Sequence, residues 1–205
     1  LDVLRPARAN PEVKGWRLKG LAFALLSLAL NATLPPLLVE AVGDRALLPG
    51  ARLGTWAGFA VGLVVVELAG YWVHRLCHRV DLLWRWVHQL HHAAERFDTF
   101  GAFFFHPLDI LQNLLLWTLV PGLLLGLTPD AAGLVGVAGF FLAFFQHANV
   151  RTPRWLGYLV QRPEGHGVHH QRGVHGFNFG NLALWDLAFG TFRNPAAAPA
   201  EAGFG

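Results

Sequence analysis

Histidine is the residue type with which this chain can do chemistry. Ten of its eleven histidines fall in His74-x-x-x-His78, His88-x-x-His91-His92, His106, His147 and His166-x-x-His169-His170. Residues i, i+3 and i+4 of a helix lie on one face, so each cluster can present its imidazoles together, and three such faces can converge on one cavity. Neutral imidazole suits iron, zinc, copper and nickel. Nine or ten ligands exceed the roughly four that a tetrahedral zinc accepts, so the count points to a dinuclear site. A histidine standing alone, such as His106 or His175, is more often a surface or hydrogen-bonded core residue. Two copies of H-x-x-H-H beside one H-x-x-x-H, with no poly-His tract, are hard to obtain that way.

Metal-bound imidazoles need acceptors for their other ring N–H. Glu95, Asp98, Glu164 and Asp186 are close enough in sequence to the histidines to serve, though each also reads as ordinary surface charge. Glu67 differs, because an ionisable residue inside an apolar span is expensive unless it faces the interior or a partner. It is expected to point toward the site.

The elements that must position these residues are membrane helices. With 54% hydrophobic and 14% charged residues and a mean hydropathy of +0.39, the chain is too apolar for an ordinary soluble domain. Four stretches suit spans of about 20 residues: Gly20 to Val39, Thr55 to Val73, Leu108 to Leu127, and Ala131 to Phe145. The last has a short apolar part and also reads as a buried core helix. Small Gly133, Gly136 and Gly139 within it suit close helix packing.

Basic residues set the expected orientation. Five precede the first span (Arg5, Arg8, Lys14, Arg17, Lys19), four lie between the second and third (Arg75, Arg79, Arg85, Arg96), and five follow the fourth (Arg151, Arg154, Arg162, Arg172, Arg193). Only Arg45 and Arg52 lie on the opposite side. Both termini are therefore expected in the cytoplasm, and every histidine lands at that face although none was used to draw the topology.

The chain reads as one all-α membrane domain without internal repeats. Residues 1–19 form a basic interface segment with Trp16 as an aromatic anchor; residues 20–150 hold the helices and a cytoplasmic histidine loop, 74–107. Residues 151–193 form a cytoplasmic cap, and an Ala/Pro-rich tail, 194–205, is expected to be disordered. The first span lacks an A-x-A-like cleavage site and reads as an anchor rather than a signal peptide; the opening Leu1 suggests a trimmed chain. Lone Cys77 forms no internal disulfide and lies beside, rather than among, the ligand positions. No G-x-G-x-x-G marks a nucleotide or flavin domain. The net charge of +3 is explained by the cytoplasmic belt and calls for no nucleic acid.

Taken together, Tyr71-Trp-Val-His74 through His78, Leu83-Trp-Arg-Trp-Val-His88-Gln-Leu-His91-His92, Phe103-Phe-Phe-His106-Pro-Leu-Asp, Gln146-His147-Ala-Asn, Arg162-Pro-Glu-Gly-His166-Gly-Val-His169-His170 and the closing Asn178-to-Phe192 stretch with Trp185-Asp186 and Phe189-Gly190-Thr191 resemble the fatty acid hydroxylase / sterol desaturase superfamily of membrane di-iron enzymes. The likeness covers about residues 65–193. It implies about four membrane helices under a cytoplasmic helical cap with two irons, zinc being a possible substitute in preparations. Such a site activates O2 to hydroxylate or desaturate a lipid. By position the implied ligands are His74, His78, His88, His91, His92, His147, His166, His169 and His170. Some relatives carry one more histidine a turn after the position of His147, where this chain has Asn149 and Arg151; His106 is the first candidate for the tenth ligand and His175 the second, its Gly-flanked stretch favouring a ring turned away. Implied partners are the bilayer, a lipid substrate and an electron donor of the ferredoxin, rubredoxin or cytochrome b5 type with its reductase.

The chemistry is coherent without the family. An aliphatic C–H bond is beyond side-chain acids and bases, so a metal must supply the reactivity while the protein positions it. Phe103, Phe104, Phe105, Phe140, Phe141, Phe144 and Phe145 could line a tunnel for an acyl chain or sterol, or simply populate the interface. A metal-ion transporter should carry ligands near mid-membrane, where Glu67 stands alone. A membrane cytochrome would leave the histidine triplets surplus, and a zinc hydrolase lacks H-E-x-x-H.

Overall fold

The computed structural model describes residues 2, 4, 6–43 and 45–203; Arg5 of the basic count and the last two residues of the expected tail lie outside them. Among the described residues eight α-helices carry the architecture: α1 (Trp16–Val42), α2 (Gly54–Cys77), α3 (Asp81–Leu83), α4 (Gln89–His92), α5 (Pro107–Leu119), α6 (Pro129–His147), α7 (Pro163–His169) and α8 (Ala183–Ala188). π-Turns at Trp84–His88 and Val120–Leu124 join α3 to α4 and extend α5. Among the described residues, strand pairing is limited to the isolated bridges Val160 with Leu182 and Gln171 with Ala202.

Four helical stretches are long and apolar enough to cross a membrane: Trp16–Val42, Gly50–Cys77, Pro107–Leu124 and Pro129–His147. The chain is an integral membrane protein, and the fourth stretch, for which a core helix was the rival reading, is as apolar as the third. Proline at the first position of α5 and α6 suits helix starts, and Thr128 caps α6 by accepting from the Ala131 N–H. Gly126, at φ +62°, makes the turn between α5 and α6, where a Cβ would lie 2.4 Å from the Leu48 carbonyl oxygen.

The core lies where α2 crosses α6. Val66, Leu125, Leu127, Ala131 and Val135 are buried there, with Phe59, Leu63 and Trp117 packed on them. Gly62 permits the approach, since a Cβ would stand 2.5 Å from Leu127. By contrast α1 turns Leu21, Leu25, Leu28, Leu37 and Val39 outward, as a helix in lipid must. It packs on α5 and not closely on α6.

Three expectations change. The expected anchor Trp16 is buried against protein: its indole N–H donates to Asp98 at 2.7 Å and its ring packs on Phe104. The tail expected to be disordered packs on the cap, because its backbone finds partners there. The Gly203 N–H donates to the His170 carbonyl, Pro199 accepts from Arg8, and Ala202 is buried. Of the three glycines in α6, only Gly139 takes a close neighbour, with the Trp117 ring 2.2 Å from a would-be Cβ; Gly133 and Gly136 face open space.

Candidate metal centre

One end of the helix bundle collects the histidines. The last turn of α2 brings His74 with His78 just past it, the last residue of α6 is His147, and the π-turn, α4 and α7 lay their histidines across these ends. Two groups result. His74, His78, His88, His92 and His169 can each offer a ring nitrogen so that all lie within 4.8 Å of one another, and His91, His147, His166 and His170 do the same. At about 100° per residue, i+4 falls about 40° to one side of i and i+3 about 60° to the other. That divergence splits each H-x-x-H-H box. His88 and His92 join the first group while His91 joins the second, and His166 and His170 join the second while His169 joins the first.

Ring tautomers argue for cations between these nitrogens. His74 Nδ1 lies 2.7 Å from the Phe179 carbonyl and His88 Nδ1 lies 2.8 Å from Asp109 Oδ2, so in neutral rings both Nδ1 atoms carry the proton and both Nε2 atoms are lone pairs. Yet those Nε2 atoms face each other at 2.9 Å. On His147 the Nδ1 likewise donates to the Ala143 carbonyl, which turns an Nε2 lone pair toward the Nε2 atoms of His91 and His166 at 3.2 Å. His169 Nδ1 is committed to the Phe177 carbonyl, and its Nε2 is buried without a protein partner, as is that of His78. Facing lone pairs repel unless a cation accepts them. Metal–nitrogen bonds of about 2.0–2.1 Å hold ligand atoms about 3 Å apart, which these spacings match.

Burial reinforces this. It is the largest influence holding His78, His91, His92, His166, His169 and His170 well below the usual imidazole range, with neighbouring imidazoles adding to it. The rings are neutral and ready to ligate.

The orienting groups differ from those expected. Three are backbone carbonyls, of Phe179, Ala143 and Phe177, and one is Asp109, buried in the first turn of α5, which also accepts from Asn113. Asp109 lies inside the third apolar span, where the rule that singled out Glu67 would have found it. Glu67 itself holds the Asn181 side chain and the Asn181 and Leu182 N–H groups. Asp186 accepts from Phe179 N–H, Gly180 N–H and Thr191, and its burial pushes its carboxyl pKa up. These two acids act on the loop whose carbonyls fix His74 and His169. Asp98 instead holds Trp16 and Arg96, Glu164 holds Thr152 beside Arg162, and Glu95 is exposed.

Neither candidate for a tenth ligand belongs to a group. His106 Nδ1 accepts the Leu108 N–H and caps α5, the end of a helix being where an orphan donor needs it. His175 is the nearer one, against the expectation of a ring turned away. Its ring centroid is 4.8 Å from that of His92, and its Nε2 is buried without a protein partner. A φ of +33° puts it there, a strained conformation that local sequence does not announce.

Beside the histidines a cavity of about 620 Å³ runs down the bundle between α1, α2, α5 and α6. His74, His88, His91, His147 and His166 line one end, and Val39, Gly122, Gly133 and Gly136 the other. On α6 the walls extend from His147 to Ala132, about 22 Å at 1.5 Å per residue. Of the seven phenylalanines expected to line a tunnel, Phe103, Phe105 and Phe140 do, joined by Phe179, whereas Phe104 packs on Trp16 and Phe23, Phe144 packs behind Phe103 and Phe140, and Phe145 stacks on the largely exposed Phe141.

A family profile described as fatty acid hydroxylase matches residues 59–191. This chain belongs to the fatty acid hydroxylase family. The matched stretch contains all nine grouped histidines together with Glu67, Asp109 and Asp186. Among curated relatives, an ornithine lipid hydroxylase of Rhizobium tropici is 35% identical over 140 residues, 66% of this chain and 41% of its own length. A Delta(7)-sterol-C5(6)-desaturase of Nicotiana tabacum is 31% identical over 69% of this chain and 52% of its own. The alkylglycerol monooxygenase of Homo sapiens is 29% identical over 71% of this chain and 32% of its own. This chain thus spans about half or less of the length of these relatives. No solved structure gives a significant match.

Proposed function

We propose that the two histidine groups hold two iron ions, and that this chain is an O2-dependent oxygenase that hydroxylates or desaturates a lipid with electrons from an external donor of the ferredoxin, rubredoxin or cytochrome b5 type. The observation that carries the reading is the pair of bare Nε2 lone pairs of His74 and His88 facing each other at 2.9 Å, with the Nε2 of His147 turned to a second cluster of ring nitrogens at 3.2 Å, at the head of an apolar cavity. Iron supplies the redox chemistry that cleaves a C–H bond, which zinc, lacking redox states, cannot. The relatives' names, hydroxylase, desaturase and monooxygenase, support the reaction class.

The protein's own part is positioning. Asp109, Phe179, Phe177 and Ala143 fix which nitrogen of His88, His74, His169 and His147 faces inward. Glu67 and Asp186 brace the Phe177–Leu182 loop from below, and Phe103, Phe105 and Phe140 exclude water from the space beside the histidines. The 14-to-2 division of basic residues supports a cytoplasmic metal site and termini. An ion-transport reading is weaker. The buried acids of the spans are committed to structure, Glu67 to Asn181 and Asp109 to His88, and the grouped histidines gather at one end.

Metal analysis of purified protein together with lipid mass spectrometry tests the proposal. Two irons per chain without a Soret band, and a lipid gaining an oxygen or a double bond only when iron, O2 and reductant are present, are expected. One metal or fewer in fully active material refutes the dinuclear reading.

A further inference from the structure

Inside the cavity, one helical turn or less from the histidines, stand polar side chains that the site above does not use. Gln146 precedes His147 on α6 and is 7% exposed, and its Oε1 is buried with no hydrogen-bond partner among the described residues. Gln112 sits one turn after Asp109 on α5. Its Oε1 takes only a long contact from the Cys77 thiol at 3.6 Å. Both side chains line the cavity. A buried amide without a partner is costly, and more so at membrane depth. Asn113 is different: it is spent on Asp109.

Away from the metal end the polar lining thins to Asn31, which donates to the Ser27 carbonyl, and Thr118. Gly133 and Gly136 present open space on α6, and Leu28, Val39, Leu116 and Val137 complete an apolar wall for an alkyl chain. The cavity is therefore most polar at its metal end and mainly apolar along its length.

We infer that Gln146 and Gln112 form a subsite for an uncharged hydrogen-bonding group, a hydroxyl or carbonyl, at one end of a long alkyl chain, with the chain laid toward Gly133 and Gly136. A neutral amide pair offers donors and acceptors, and the two carboxylates on the cavity wall are already committed, Glu67 to Asn181 and Asp109 to His88, which suits an uncharged group. This rests on the lipid-oxygenase reading and adds an orientation to it: the carbons presented to the histidines are those near the polar end of the substrate, not those of its distal tail. Gln146 and Gln112 are positioning residues.

The test is displacement of tritiated hexadecanol from the detergent-solubilised full chain, by unlabelled hexadecanol and by hexadecane, with Gln146→Leu and Gln112→Leu compared with wild type at equal metal content. Micelle partitioning cancels in the comparison between proteins. Wild type should prefer the alcohol, and Gln146→Leu should weaken the alcohol roughly tenfold, the worth of about one net hydrogen bond, while hexadecane binds as before. Gln112→Leu, which leaves His147 and its neighbours untouched, should shift the alcohol in the same direction. If wild type binds both chains and the substitutions weaken both alike or neither, the amide subsite is overturned and the oxygenase reading stands. If wild type binds neither chain and turns over no lipid when loaded with iron, the oxygenase reading falls with it.

Discussion

Replacing Asp109 by alanine should weaken one metal and spare the other. The carboxylate accepts the His88 Nδ1–H at 2.8 Å with both side chains nearly inaccessible to solvent, and it thereby fixes the Nε2 that faces His74. Partners of this kind are worth about 10- to 100-fold in metal affinity, or about 1.4–2.8 kcal/mol, in line with about 1.5–3 kcal/mol for a hydrogen bond to a charged group. His88 belongs to the five-histidine group alone. In Asp109→Ala, dialysis against graded chelator should therefore release one iron at about 10- to 100-fold lower chelator strength, with the second retained as in wild type. Asp109→Asn is the control for folding. Its single carbonyl oxygen can serve His88 or Asn113 but not both, and Asn113 keeps the Asp109 backbone carbonyl at 3.0 Å, so the loss should sit at the low end of that range. Two irons leaving together, or neither leaving more easily, would refute the two-group geometry.

Other consequences follow from the same contacts. His175→Ala should lower metal content more than His106→Ala, whose cost is helix-cap stability of about 1 kcal/mol, read by metal analysis and thermal melting of the two variants; the reverse order would restore His106 as the tenth ligand. Asp186→Ala orphans two backbone N–H groups and the Thr191 hydroxyl; at about 1–3 kcal/mol each it should lower the melting temperature sharply and loosen metal in the five-histidine group through His74 and His169, whereas an unchanged melt would show that the loop is held elsewhere. Acid should destabilise the fold. His91, His92, His166, His169 and His170 have folded pKa values below the ordinary 6.5, so the unfolded chain binds more protons below that pH. Stability is full above about pH 6.5 and falls as pH drops, by about 1.4 kcal/mol per unit for each histidine that stays neutral. Thermal melting across pH 7 to 5 should show the midpoint falling on the acid side; a flat profile would contradict neutral buried rings.

The histidine clusters, the four spans and their crowding at one bundle end were legible in the sequence, because each rests on short-range periodicity: i, i+3 and i+4 for a ligand face, about 20 apolar residues for a span. Asp109 carried the same signal as Glu67, a charge inside an apolar stretch, and was not singled out. The assignment of ring nitrogens was not legible, since three of the four orienting acceptors are main-chain carbonyls, which every residue possesses and no spacing marks. Glu67 was noticed for its depth, yet its partner Asn181 lies 114 residues away, and no local pattern pairs them. His106 and His175 were ranked by their neighbours in the chain, and a positive φ reversed the order in space. The sequence by itself determined that many imidazoles meet at the end of a membrane bundle, for that follows from residue type and helical period. Only the tertiary structure decided that they meet as a five and a four, with each H-x-x-H-H box divided between them, because the split depends on how α4 and α7 are rotated against the ends of α2 and α6.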